Sequence, residues 1–217
     1  MDRALSRYGY LLPAILLVLS LTMASGCRTL ATFAAYLIKG REIEADYNGL
    51  KGKKVAVVCR PMASLEFDNP TVARELARQV SLQLQANVSK IKVVEAQKVA
   101  AWIDKNEWKE FREVGKALGA ERVVAVELQE FAVRQSHTLF QGKASYVITV
   151  HDCDTEGEAA FEKSGRSLYP PNTGISTMDM PEGEFRRKFL KVLADQIARH
   201  FYPHEPHADL MLDQDAM

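Results

Sequence analysis

Two clusters of side chains in the sequence could bind a metal ion. The first is His151, Asp152, Cys153 and Asp154, four consecutive residues with nitrogen, oxygen and sulfur donors. Successive side chains of a β-strand point to opposite faces, so the histidine and the cysteine would share one face and the two aspartates the other. A tight zinc site needs three or four convergent ligands, and two would have to come from elsewhere. We therefore expect a strand end with solvated aspartates here.

The second cluster is His200, His204 and His207, near the end of the chain. Pro203 and Pro206 lie between these histidines and interrupt any helical register. The imidazoles are therefore not expected to share one helix face, and we expect neither a functional metal site nor any other cofactor.

Cys59 is the candidate nucleophile, because it ends a predicted strand, where open α/β sheets place ligand sites. A catalytic cysteine needs a nearby base and a lowered pKa. The chain has no Ser-elbow, HExxH, CxxC or phosphate-loop motif, and we expect a protein that is not an enzyme. A disulfide between Cys59 and Cys153 is not expected either, because the predicted topology puts them at opposite ends of the sheet.

Three aromatic residues are candidates for binding a partner protein. Trp102 and Trp108 flank the segment "IDKNE" and have two interpretations. They are either core residues of paired helices or an exposed anchor for a partner, since tryptophan is enriched at binding hot spots. Phe140 lies in the hairpin tip predicted at 134–144, where Gly142 is expected to supply the turn.

The first residues of the chain have the features of a targeting segment. Arg3 and Arg7 precede a stretch that carries no charge from Tyr8 to Gly26 and is rich in Leu and Ile. That stretch is just long enough to span a bilayer as an uncleaved anchor. Its short apolar centre and the small residues that follow are more typical of a cleaved signal peptide.

The residues Ala24, Ser25, Gly26 and Cys27 resemble the lipobox of bacterial lipoproteins. The resemblance implies that a lipid is attached to the sulfur of Cys27, that the chain is cut between Gly26 and Cys27, and that the new amino group is acylated. Arg28 follows, in place of the aspartate that retains many lipoproteins at the inner membrane. This favours the outer membrane, with the protein facing the periplasm.

Four segments are predicted along the chain. These are a signal peptide at 1–26, a lipid anchor and tether at 27–51, a folded domain at 52–202 and a flexible tail at 203–217. The tether has helical periodicity and could lie on the membrane or pack on the domain. The chain balances 28 Lys and Arg with 28 Asp and Glu, so nothing indicates a nucleic-acid partner.

The predicted domain belongs to the α/β class. Helical segments separate the first three predicted strands, which should therefore be parallel, and short turns join the last three, which should form an antiparallel meander. Together they predict a mixed five-stranded sheet flanked by helices. The predicted strands are 54–59, 90–95, 122–133, 145–152 and 158–167.

This order, with "KKVAVVCRP", "KIKVVEAQKV" and "VGKALGAERVVAVEL", resembles the lipoprotein domain family around the curli-secretion lipoprotein CsgG. Related domains are the lipoprotein activators of penicillin-binding proteins, a polysaccharide-export lipoprotein and the N-terminal domain of TolB. Cys59-Arg60 departs from the apolar and aromatic exit of the first strand in that family. The chain also lacks the long alternating insertions that build the CsgG barrel, so a secretion channel is not expected.

These observations predict a lipid-anchored periplasmic protein that acts as a non-catalytic binding or accessory module of an envelope complex. Its expected binding surfaces are an edge strand of the sheet and the hairpin tip. Two alternatives remain, namely a self-assembling subunit of a secretion or export apparatus and an enzyme that depends on Cys59.

Overall fold

The computed structural model of the chain describes residues 42–63, 65, 71–155 and 157–205. Within these residues the strands are β1 (Lys54–Pro61), β2 (Lys92–Val93), β3 (Arg122–Arg134), β4 (Leu139–Asp152), β5 (Phe161–Tyr169) and β6 (Ile175–Ser176). The helices are α1 (Val72–Asn87), α2 (Ala96–Ile103), α3 (Phe111–Ala117) and α4 (Glu182–Ala198), and a 3₁₀ turn follows at Arg199–Phe201.

The strands form one mixed sheet in the order β2-β1-β3-β4-β5. β1 is parallel to both β2 and β3, whereas β4 is antiparallel to β3 and to β5. The predicted α/β fold, with three parallel strands followed by an antiparallel meander, is therefore confirmed. A sixth, two-residue strand, β6, was not predicted and pairs with the start of β4.

β2 is much shorter than the predicted strand at 90–95. Lys90 has a φ of 59°, in the left-handed region that a strand does not use. Val94 still donates a backbone hydrogen bond to the carbonyl of Val55, but α2 begins at Ala96. The chain therefore runs beside β1 for only two residues before it turns away.

The helices cover the two faces of the sheet and create two cores. β1 alternates between them, because successive side chains of a strand point to opposite faces. Val55 and Val57 pack in the larger core with α1 and α4, whereas Ala56 and Val58 pack in the smaller core with α2 and α3. The apolar stripe predicted for the last helix lies in the larger core, at Phe185, Phe189, Leu193, Ile197 and Phe201.

The step from α3 to β3 is fixed by two glycines of the "GKALGA" segment. Gly119 has a φ of 64° and ends the helix as predicted. Its N–H bonds the carbonyl of Lys116 and the N–H of Ala120 bonds that of Gly115, which is the Schellman arrangement. A Cβ on Gly115 would lie 2.5 Å from the sulfur of Cys153, so glycine is also needed for the close approach of helix and sheet.

The prediction of a turn at Gly142 is wrong. β3 extends to Arg134 and β4 begins at Leu139. Gly142 therefore lies within β4, and the hairpin tip is only 135–138. A Cβ on Gly142 would lie 2.4 Å from the ring of Phe189. Glycine is therefore required at this position because α4 packs closely against the sheet, and not because the chain turns.

By its internal contacts the chain divides into two units, Met1–Ile43 and Glu44–Met217. The last residues of the predicted tether belong to the second unit. Leu50 is fully buried in the larger core, and the N–H of Tyr47 bonds the carbonyl of His200 at 3.0 Å. Of the two alternatives for the tether, packing on the domain therefore holds for this part.

No helix among the residues that the structure describes is long and apolar enough to cross a membrane.

Candidate binding cleft at the outer edge of β1

The second half of β1 has an open backbone edge. β2 pairs only with Lys54 and Val55, and among the described residues no strand continues along the same side of β1. The opposite side is fully paired, since β3 follows β1 from Val55 to Pro61. One edge of β1 is therefore unpaired from Ala56 onward.

The direction of the open backbone groups follows from the pairing with β2. The carbonyls of Lys53 and Val55 accept hydrogen bonds from the N–H groups of Lys92 and Val94, at 2.9 and 2.8 Å. Along a β-strand, the N–H and C=O groups of every second residue point to the same side. The N–H and C=O groups of Val57 and Cys59 therefore face the same edge as those of Val55. Val57 is 1% exposed and Cys59 is half-buried, so the backbone groups of Cys59 are the ones that an added strand could reach.

A cleft of about 460 Å³ runs along this open edge, between α1 and α2, and we call it the β1 cleft. Both helical walls present alanines spaced four residues apart, which places them on one helix face. Small side chains leave the space beside β1 unfilled. The wall residues are Ala73 and Ala77 of α1, and Ala96 and Ala100 of α2.

Arg60 lies at the carboxyl end of the cleft on an aromatic platform. Its guanidinium carbon is 4.2 Å from the ring centre of Trp108 and 4.4 Å from that of Phe111. One terminal nitrogen donates a hydrogen bond to the carbonyl of Lys109 at 2.7 Å. Cation–π contacts of this kind contribute about 0.5–2 kcal/mol each. Arg60 is thus held in place, and no carboxylate among the described residues forms an ion pair with it.

A second arginine crosses the mouth of the cleft. Arg74 of α1 forms an ion pair with Asp104, which directly follows α2. Both side chains are largely exposed, so the pair contributes little to stability. With Arg60 included, the cleft carries two cationic groups and one carboxylate and is therefore electropositive.

Cys59 lies in the cleft but is a poor nucleophile. Burial raises the pKa of its thiol to about 12, so the sulfur stays protonated at neutral pH. The thiolate is the reactive form of cysteine. Cys59 and Cys153 are both unbonded thiols.

The aromatic residues predicted to bind a partner have different environments. Trp108 is half-buried, lines the cleft and supports Arg60, whereas Trp102 is half-buried against the smaller core. Phe140 is 2% exposed and stacks on Phe185, with ring centres 5.2 Å apart. The placement of Phe140 at an exposed hairpin tip is therefore wrong, because this residue begins the buried part of β4.

His151 and Cys153 lie on the same side of the sheet, as predicted. Cys153 is buried in the smaller core, and His151 stacks on Phe111 of the same side. Asp152 pairs with Arg122, and its carboxylate also accepts the N–H of Asp154 at 2.9 Å. No group of three or more His, Cys, Asp or Glu side chains converges within the described ranges.

His151 has its own local role in the sheet. Its Nε2 lies 2.9 Å from the hydroxyl of Thr149, and burial lowers the pKa of its imidazole, with the charge of Arg112 acting in the same direction. The ring is therefore neutral at pH 7.

Two of the three C-terminal histidines lie among the described residues and have different neighbours. His200 donates from Nδ1 to the carboxylate of Asp46 at 2.6 Å, and the ring of His204 lies near Tyr202. His207 lies outside the described residues, as do Cys27 and the predicted signal peptide.

Sequence reasoning found Cys59 and Trp108 but missed the site they share. Arg60 gave a signal, because Cys59-Arg60 departs from the apolar and aromatic exit of the first strand in the family that the sequence resembles. The alanines gave none, since alanine is common in helices whether or not it lines a cleft.

No protein-family model matches the chain, and the search of curated proteins finds no significant relative. Solved structures of similar fold include the PelC dodecamer from Paraburkholderia phytofirmans, with 10% identity, a TM-score of 0.46 and coverage of 75% of this chain and 97% of that one. Lipoprotein GNA1162 from Neisseria meningitidis has 12% identity, a TM-score of 0.42 and coverage of 67% and 97%.

Proposed function

We propose that this chain is a lipid-anchored accessory protein of the bacterial envelope that binds another envelope component through the β1 cleft and catalyses no reaction. The observation that carries the proposal is the open backbone edge of β1 within the cleft. Exposed strand edges are readily paired by other chains, and proteins use them for recognition.

The envelope location rests on the sequence of the leader. Lipidation of Cys27 after cleavage at Gly26 would hold the mature protein on a membrane, because several acyl chains bind a bilayer almost permanently. Arg28 favours the outer membrane, with the folded domain in the periplasm. A Cys27→Ser variant is expected to lose the incorporation of radiolabelled palmitate that the wild-type chain should show.

Site-directed photocross-linking in intact envelopes tests the binding role. A photoreactive benzoyl-phenylalanine is placed at Asp104, on the rim of the cleft, in the full chain. The matched control carries the same group at Lys191, an exposed position of α4. We expect a reproducible adduct at Asp104 that is missing at Lys191. If the two positions give the same weak background, the β1 cleft is not the binding site.

A further inference from the structure

We infer that the β1 cleft binds an extended peptide segment, which adds a strand beside β1 and places an acidic side chain against Arg60. The inference rests on the proposed function and specifies its ligand. Strand addition uses the backbone for affinity and side-chain pockets for selectivity.

The backbone geometry favours a strand as the occupant. β2 already lies on this edge and bonds to Lys53 and Val55, so the path of an added strand is defined. The unpaired stretch runs from Ala56 to Pro61, but its first three residues are buried. Cys59, Arg60 and Pro61 are partly exposed. At about 3.3 Å per residue, this accessible end accommodates roughly three residues of an added strand.

The small side chains on the walls of the cleft leave space for the side chains of such a segment. Side chains of an added strand would point alternately toward α1 and α2. Ala77 stands on one wall and Ala100 on the other, so neither wall fills the space that these side chains require. Large wall residues would exclude the strand.

The charge of the cleft selects for an acidic residue in the peptide. Arg60 has a planar guanidinium with five N–H donors, and one of them bonds the carbonyl of Lys109. Its aromatic platform fixes the group before binding, which reduces the entropy lost when a carboxylate arrives. Charge-assisted hydrogen bonds between arginine and carboxylate are among the stronger polar contacts.

The test selects peptides on the full chain in detergent micelles, with a phage-displayed library of random dodecapeptides as the probe. Selected peptides are synthesised, labelled and titrated by fluorescence anisotropy. We expect them to contain an acidic residue next to β-branched or small residues. Failure to select any peptide that binds the free protein in solution overturns the inference.

Variants of the cleft locate the binding site. Ala100→Leu fills the cleft from α2 and Ala73→Leu from α1, and leucine preserves helix propensity. Each is expected to weaken binding by about tenfold or more, whereas Lys191→Gln on α4 leaves it unchanged. Thermal unfolding confirms that each variant folds. Equal affinities for all three variants would place the peptide elsewhere and contradict the inference.

The contact with Arg60 is isolated by a double-mutant cycle. Arg60→Gln, and separately an Asp→Asn or Glu→Gln change in the peptide, should each weaken binding by about tenfold. The two changes together should weaken binding little more than either change alone. Additive losses would show that the acidic residue contacts another group.

Other occupants give different results. Concentration-dependent self-association that Ala100→Leu abolishes, without peptide binding, would assign the cleft to a second copy of the chain. A cross-link from Asp104 to a glycan or lipid, also without peptide binding, would overturn this inference and leave the proposed function standing.

Discussion

Beyond β2, β1 forms one outer edge of the sheet and β5 forms the other. β5 is long and solvent-facing, and it carries exposed charges at Glu162, Lys163 and Arg166. The unpaired part of β1 is short, and the backbone groups of Val57 and Cys59 face its edge. It is recessed between α1 and α2.

The difference shows two ways of controlling an open edge. Charged side chains discourage pairing along an exposed strand such as β5. The unpaired edge of β1 lies between the walls of α1 and α2, which would block another sheet. A recessed edge of this kind can therefore be selective.

If the edge of β1 is recessed and that of β5 exposed, the thiol of Cys59 in β1 should react slowly. Because burial raises the pKa of this thiol to about 12, maleimide at pH 7.5 should label it about a hundredfold or more slowly than in the urea-unfolded chain. Mass spectrometry of peptides measures the rate at Cys59 separately from Cys153. Equally fast labelling in both states would mean that Cys59 belongs to an open, reactive site.

Added volume should affect the two edges differently. Gly165 of β5 packs on Tyr146, and a Cβ there would lie 2.5 Å from the ring. Gly165→Val should therefore lower the free energy of unfolding by about 1–3 kcal/mol. Ala100→Leu, which extends into the β1 cleft, should change it by less than about 0.5 kcal/mol. Urea unfolding provides both values, and equal losses would show that the cleft is already filled.

Acid should weaken the β5 side slightly through Asp46. The hydrogen bond from His200 lowers the pKa of this carboxyl, and Lys163 of β5 acts in the same direction. A folded pKa below the unfolded value near 3.8 gives stability that is present above pH 4 and lost as pH falls through the folded pKa. Because Asp46 is exposed, the effect is at most about 0.5 kcal/mol.

Unfolding of Asp46→Asn between pH 6 and pH 3 measures this contribution. The variant should lose less stability than the wild-type chain over that range. An unchanged acid dependence would show that the contacts of Asp46 are energetically neutral.

Local sequence periodicity was sufficient to predict the five main strands and their relative directions, but not the length of β2 or the presence of β6. Buried runs such as "KVAVVC" and the helical stripe of Phe185 and Phe189 encode their elements within a few residues. The prediction at Gly142 failed because its cause is the ring of Phe189, which is distant in sequence. Phe140 was misplaced with it, since the predicted tip depended on that turn.

The β1 cleft could not be predicted for a related reason. It exists because α2 begins at Ala96, soon after β2, and because two helices present alanines toward the same space. Neither feature has a distinctive local pattern. The aromatic support of Arg60 likewise requires residues that are brought together only by the fold.

Amide hydrogen exchange of the unliganded full chain tests the central claim most directly. The N–H group of Cys59 should exchange about a hundredfold or more faster than those of Val58 and Arg60, which face β3 in the same strand. This difference along β1 would establish an open edge. Equal, slow exchange at all three residues would show that another segment already pairs with this edge, and would contradict the account.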